Sequence, residues 1–382
     1  MISFELTNEQ KALKDRLHRI AVDKIQPYSL EIDANKPGKI DKRYLEIIAQ
    51  EKLNAFIIPE RYGGRPLKCV TLSLVMEELG LGCAGFAGIY AQTLHAVSTI
   101  LIGGSPPQKK EFLPLLLGPS GAVASFCLTE EKGGSDVSSF STTAQMEKDA
   151  YYRLNGSKTP IINAGDAAFY VVWANTGSGK KGLAEINAFI IPRDEQGMSF
   201  GPLHDKPGLR SAPTATIFLK DLKVPISNLI GPSGSGYLLF TQTIDRGRAL
   251  VGSICVGLAR AAIEMAIGFA KERTVRERPI IRNQDISFSL ADLATDLEAA
   301  RLLVWKACHR MDKHMDYTAL SSMAKLFASE LAVRATTQGM LILGQRGCKR
   351  PSLMDKFQRD AQMTRIIEGT SQVQKMIIAS QL

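Results

Sequence analysis

At 382 residues the chain is long enough for two or three domains, or one large composite, around an ample core. A 45% hydrophobic and 22% charged composition is that of a globular chain and excludes disordered and fibrous classes. The formal net charge of +9 calls for an anionic partner, yet no long Lys/Arg block or basic–aromatic interleaving is present, so nucleic acid is not expected.

In chain order, residues 1–119 carry helical periodicity. Thr7 caps an amphipathic start at "TNEQKALKDRL", and "SLVMEELGLGCAGFAGIYAQTLHAVSTILIGG" continues the helical pattern. The stops "PERYGG" and "GGSPPQ" punctuate this block. Over 120–225 the period shortens. "AVASFCLT", "YYRLNGSKTPIIN", "AAFYVVWANT", "NAFIIPR" and "TATIFLKDLKVP" read as strands, with "LNGSK" as a hairpin-like turn. Over 226–382 long helices return, and in one of them Leu290, Leu293, Leu297 and Val304 form a single buried stripe. No apolar run approaches the ~20 residues of a membrane-spanning helix, and no apolar leader opens the chain. The expectation is therefore a cytoplasmic protein without a membrane partner. Six scattered cysteines (69, 83, 127, 255, 308 and 348) have neither disulfide-frame nor metal-site spacing, so no metal is expected. The basic stretch "ERTVRERPIIRNQ" is either a solvated face or a contact for phosphate or an acidic protein.

Two short stretches carry chemistry. In "RDAQMTRIIEGTSQVQKMIIAS" a lone carboxylate, Glu368, sits between two isoleucines and a glycine. Desolvation by Ile366 and Ile367 would make it a stronger base, and Gly369 would let the chain turn sharply. Ser371 with Gln374 fits a capping box for the final helix. The alternative is that Glu368 only caps or solvates a helix start. In "FCLTEEKGGSD", Leu128 and Thr129 end a strand and Gly133-Gly134-Ser135 form a loop. Its N–H and hydroxyl groups either face a ligand or simply turn the chain.

Six stretches in order, "IPERYGG", "FCLTEEKGGSDVSSFSTTA", "LNGSK", "DLKVP", "DRGRALVGSICVGLARA" and "RDAQMTRIIEGTSQVQ", resemble the acyl-CoA dehydrogenase family of flavoproteins over essentially the whole length. The resemblance implies an α+β fold: an N-terminal helical domain (1–119), a middle β-barrel or sandwich domain (120–225) and a C-terminal four-helix bundle (226–382). It implies FAD as cofactor and Glu368 as the catalytic base of α,β-dehydrogenation of an acyl thioester, giving trans-2-enoyl-CoA from acyl-CoA. The β-hydride passes to flavin N5, and a backbone N–H at Glu368 polarises the carbonyl. Relatives that keep their base on an earlier helix place it where this chain has Gly247, which cannot serve.

By the same resemblance, Phe126, Leu128, Thr129, Gly134, Ser135, Pro160, Ile161, Ile162, Thr370 and Gln372 line the flavin. Arg273, Val275, Gln284, Leu341, Gly344 and Gln345 belong to segments that reach it across a subunit boundary, which implies a homotetramer built as a dimer of dimers. Ser135, Asp245, Arg246, Arg248, Tyr90, Leu94 and Gly369 would contact substrate, although Arg248 could instead form a helix-face ion pair. The acyl pocket would lie against Phe86, Tyr90, Leu94 and His95, with His95 read as a satisfied core histidine.

Electron-transferring flavoprotein is the implied electron acceptor. Pro160-Ile161-Ile162, Val275 to Glu277 and Gln345 depart from the family pattern around the flavin. The loop Gly344 to Cys348 resembles that of relatives acting on acyl-(carrier protein) thioesters, which leaves that substrate open. A non-catalytic acyl-thioester binder is the third reading.

Overall fold

The computed structural model describes residues 5–147, 150–177 and 183–382. Positions 1–4, 148–149 and 178–182 of the expected first and middle blocks lie outside the described residues.

The first block is helical: α1 (Asn8–Ile20), α2 (Gln26–Ala34), α3 (Lys42–Gln50), α4 (Cys69–Gly82), α5 (Ala84–Gly103) and α6 (Pro106–Phe112). Thr7 and Gln10 form the expected reciprocal capping box at α1. The long apolar run expected near residues 73–104 is broken at Cys83, whose extended backbone separates α4 from α5. Both α4 and α5 are almost wholly buried, as helices apolar on every face must be.

The strands follow: β1 (Ala124–Cys127), β2 (Thr143–Glu147), β3 (Tyr151–Ile162), β4 (Phe169–Asn175), β5 (Ile186–Pro192), β6 (Met198–Phe200), β7 (Thr214–Pro225) and β8 (Leu229–Ile230). They form one sheet in the order β6-β7-β3-β2-β4-β5-β8, with β1 parallel to β4. "LNGSK" is not a hairpin turn. It lies inside β3, where the register against β7 shifts by a bulge between Leu154 and Gly156. The hairpin of this region is instead β2–β3, which pairs Glu147 with Tyr151. Asn155 and Gly156 are therefore bulge residues, a role for which Asn-Gly is as well suited as for a turn.

The sheet has two different faces. Phe126, Phe169, Val171, Trp173 and Ile190 join the main core with the helices, while Cys127, Tyr170, Val172, Phe189 and Ile191 fill a separate core with β3 and β7. Phe112 packs edge-on to Phe169, and the Trp173 indole donates to the Gly236 carbonyl, so helices and sheet are pinned together.

The remaining chain is α7 (Gly236–Glu272), a two-stranded ribbon β9 (Thr274–Val275) with β10 (Arg278–Pro279), then α8 (Gln284–Asp312), α9 (Thr318–Leu343), α10 (Gln345–Cys348), α11 (Leu353–Thr364) and α12 (Ser371–Ala379). Leu290, Leu293, Leu297 and Val304 are buried as their spacing predicts. Against the hydropathy reading, α5 and α7 are each long and apolar enough to cross a membrane. Most of each lies buried inside the protein, as expected of core helices. The six cysteines are free, and no cluster of potential metal ligands occurs among the described residues.

Candidate active site

The site assembles where α5, α7 and the turn between α11 and α12 meet. Glu368 occupies that turn with φ +57°, a left-handed conformation that is uncommon for a residue with a side chain. Gly369 follows at φ +89°, and a Cβ there would stand 2.7 Å from Gln374 Nε2. Three hydrogen bonds from two side chains clamp the turn. Gln374 Nε2 donates to the carbonyls of Glu368 and Gly369, both at 3.0 Å, and the buried Lys325 ammonium on α9 donates to the Gly369 carbonyl at 2.7 Å. The expected Ser371–Gln374 capping box does not form. Thr370 caps α12 by accepting from the Val373 N–H, which frees Ser371 to donate to Glu330 and Gln374 to hold the turn.

The Glu368 side chain is only 7% exposed, with Oε2 buried and without a hydrogen-bond partner. Ile366 does not desolvate it, being 58% exposed; the enclosure comes from α5 and α7. Nε2 of His95 on α5 lies 3.5 Å from Oε2. His95 is buried but not satisfied, since neither ring nitrogen has a hydrogen-bond partner. Gly247 on α7 makes room for the ring: a Cβ there would come within 2.0 Å of Nε2. Phe126 of β1 stacks at a tilt against His95 on one side and Trp173 on the other.

The other carboxylates of the region are occupied. Glu130 accepts from Lys158, from the Ser141 N–H and hydroxyl, and from the Thr142 N–H. Burial pushes its carboxyl up, but the Lys158 charge and these donors outweigh it and hold it at about 2. Asp245 accepts from Arg248 and from the Thr318 hydroxyl, while burial raises its carboxyl above the usual range. Arg248 thus forms the helix-face ion pair that its spacing allowed, with its Nε buried and unpartnered. Burial lowers the Arg248 guanidinium and drives the Lys325 ammonium down to about 8. Both cations feel the charge of Glu368. Arg246 Nε is likewise buried without a partner.

Other expected residues divide. Tyr90 commits its hydroxyl to the Leu53 carbonyl at 2.7 Å, so only its ring is left for a ligand, and Leu94 is likewise buried. The side chain of Ile161 fills the sheet's own core, leaving only its backbone for a ligand. Pro160 and Ile162 lie on β3, and the Ile162 carbonyl accepts from Ser125. Leu128 and Thr129 lie just past β1, and their carbonyls are held by Lys158 and the Thr159 N–H. Gly134 and Ser135 are exposed on the loop that follows. Gln372 is exposed on α12. Arg273, Val275, Gln284, Leu341 and Gln345 fall on or beside the β9–β10 ribbon and the α9–α10 junction, exposed at the surface of this single chain. Val275 is 52% and Leu341 68% exposed. Gly344 sets the junction with φ +56°.

The comparisons decide the family. Acyl-CoA dehydrogenase N-terminal, middle and C-terminal domain families match residues 7–118, 125–222 and 234–382. A probable acyl-CoA dehydrogenase of Bacillus subtilis (strain 168), YngJ, is 36% identical over all of both chains. The chain belongs to the acyl-CoA dehydrogenase family. A cyclohex-1-ene-1-carbonyl-CoA dehydrogenase of Syntrophus aciditrophicus (strain SB) is 34% identical over 99% of this acyl-CoA dehydrogenase and 91% of that protein. The solved butyryl-CoA dehydrogenase of Megasphaera elsdenii superposes with a TM-score of 0.94 at 32% identity, covering 100% and 99% of the two chains.

This acyl-CoA dehydrogenase is accordingly an oxidoreductase and a flavoprotein that uses FAD. The residues present fit that group. Among the described residues the Thr129 and Ser135 hydroxyls have no intramolecular partner. A Cβ at Gly134 would meet only Thr129, at 3.7 Å. The loop leaving β1 therefore offers free donors beside an unfilled glycine, as a polar aromatic ring edge requires.

Proposed function

We propose that the protein removes the α- and β-hydrogens of an acyl thioester, with Glu368 as general base. One observation carries this reading. Glu130 and Asp245 have both carboxylate oxygens engaged by donors, whereas Glu368 keeps a buried oxygen without a partner. A base must have a free lone pair facing the proton that it takes, in a site that excludes water.

The left-handed turn aims the carboxylate across the gap toward α5 and α7. Gln374 and Lys325 fix the Glu368–Gly369 backbone so that its direction does not drift. FAD, when bound, supplies the acceptor for the β-hydrogen and its electron pair. The thioester carbonyl would be oriented by backbone N–H groups of this turn, an oxyanion-hole role. Arg246, with its buried free Nε, is the group available to an anionic part of the substrate.

The test is anaerobic bleaching of the FAD-loaded protein by a panel of acyl groups, each offered on CoA and on an acyl carrier protein. Wild type should bleach with at least one thioester, and the carrier that bleaches faster names the substrate class. Glu368→Gln should stay yellow, bind the thioester and bleach at least about 10²-fold more slowly. Bleaching by the variant within a few-fold of wild type would move the base elsewhere.

A further inference from the structure

A buried histidine and a buried carboxylate face each other without any hydrogen-bond partner of their own, and this pair has a use. We propose that His95 is the positioning residue of Glu368: its neutral Nε2 takes the hydrogen bond of the Glu368 carboxyl once that carboxyl has received the substrate proton. The inference rests on Glu368 being the base.

The geometry gives the reasons. Nε2 and Oε2 stand 3.5 Å apart, and neither has another partner. Catalytic hydrogen bonds of this kind commonly tighten when the site fills. An unsatisfied imidazole buried to 1% exposure is costly, on the order of 1–3 kcal/mol, unless another state of the enzyme satisfies it. Among the described residues no other side chain or carbonyl bonds the ring. Gly247 presents no side chain, Phe126 presents only an apolar ring, and the backbone carbonyl of His95 is occupied by the Thr99 hydroxyl.

The chemistry of the step sets the direction of the bond. Asp245 is committed to Arg248 and Thr318, so neither of those groups competes for the pair. A carboxyl that has just taken a proton is a donor, and the imidazole meets it with the lone pair of Nε2. In the step itself, the α-C–H bond breaks, its electron pair stays with the substrate, and the proton forms an O–H bond on Oε2. Nε2 then accepts a hydrogen bond from that O–H and keeps the carboxyl from rotating away. Gly247 is the complement of His95, since any side chain at 247 would occupy the ring's place.

Two measurements on the FAD-loaded protein test this. In anaerobic stopped flow with a bleaching acyl thioester, His95→Leu should lower the reduction rate constant about tenfold or more while the thioester Kd stays within about threefold. His95→Gln carries an amide to the reach of Nε2 and should recover most of the rate, whereas His95→Asn reaches only to Nδ1 and should not. Should the leucine variant fail to fold, the Gln/Asn contrast decides. With 15N-labelled histidine, the His95 ring resonances should shift on Glu368→Gln while those of His204 stay in place.

Equal rates for Gln and Asn, an unchanged rate for Leu, or His95 resonances blind to Glu368→Gln each overturn the proposal. Failure of wild type to bleach with any thioester would overturn the base reading itself, and this inference with it. Bleaching by wild type alongside indifferent His95 variants would overturn only the inference.

Discussion

Lys325→Met isolates the clamp on the Glu368 turn. Lys325 is fully buried on α9, and its ammonium donates to the Gly369 carbonyl at 2.7 Å. Burial brings it from 10.5 down to about 8, which corresponds to about 3 kcal/mol against the charged form. The folded value lies below the unfolded one, so between about pH 8 and 10.5 the unfolded chain binds the extra proton. The penalty is therefore full below pH 8 and fades as pH rises toward 10.5, so wild-type stability gains across that window. Methionine keeps the volume and removes both the penalty and a charged hydrogen bond worth about 1.5–3 kcal/mol. The Gly369 carbonyl is not orphaned, because Gln374 still donates to it. At pH 7 the two effects nearly cancel, and the variant should unfold in urea within about 1–2 kcal/mol of wild type. From pH 7 to 10.5 its relative stability should then fall by about 3 kcal/mol as wild type sheds its penalty. Flavin bleaching should slow by about tenfold or more, because the Glu368 turn loses one of its clamps. Parallel stability curves for the two proteins across pH 8–10.5 would refute the reasoning.

Three further outcomes are expected. Gly247→Ala drives a Cβ to 2.0 Å from His95 Nε2 and should cost about 1–3 kcal/mol in thermal unfolding, a loss largely relieved by adding His95→Ala. Glu130→Gln leaves Lys158 buried without its counter-charge and should cost about 3–5 kcal/mol at pH 7. In wild type the Glu130 contribution is present above about pH 4.5 and is lost as pH falls through about 2, so urea unfolding of the variant should lose less stability on acidification. Light scattering should give the mass of four 41.7 kDa chains, with the exposed Val275, Phe288 and Leu341 covered between copies; a monomer holding one FAD per chain would refute this.

The helical and β blocks were legible because apolar periodicity changes twice along the chain and glycine or proline marks the stops. The missed strands are short. β2 and β6 bury little of their length, so their residues carry no alternating signal. Asn155-Gly156 misled because a bulge and a tight turn recruit the same dipeptide. The choice between Thr370 and Ser371 as cap depended on where Gln374 would point, which neighbouring sequence does not encode. The Glu368 turn was visible in its setting, but Ile366 points to solvent and the enclosure that the sequence assigned to it comes from α5 and α7. Tyr90 and His95 lie five residues apart on α5, and only tertiary packing turns one hydroxyl into the core and the other ring toward the turn.

The two-faced sheet limits what can be moved between relatives. Along β4, every second side chain belongs to a core built by helices from both ends of the chain, so that face was shaped together with those helices. A segment cut at 120–225 would carry Phe126, Phe169, Val171 and Trp173 into water, an adhesive surface that invites aggregation. Swapping the strands for those of a relative preserves the contacts of the sheet's own core but sets foreign side chains against native helices. Chimeras should therefore tolerate exchange of the Tyr170 face alone, and require α5 and α7 to travel with the Trp173 face.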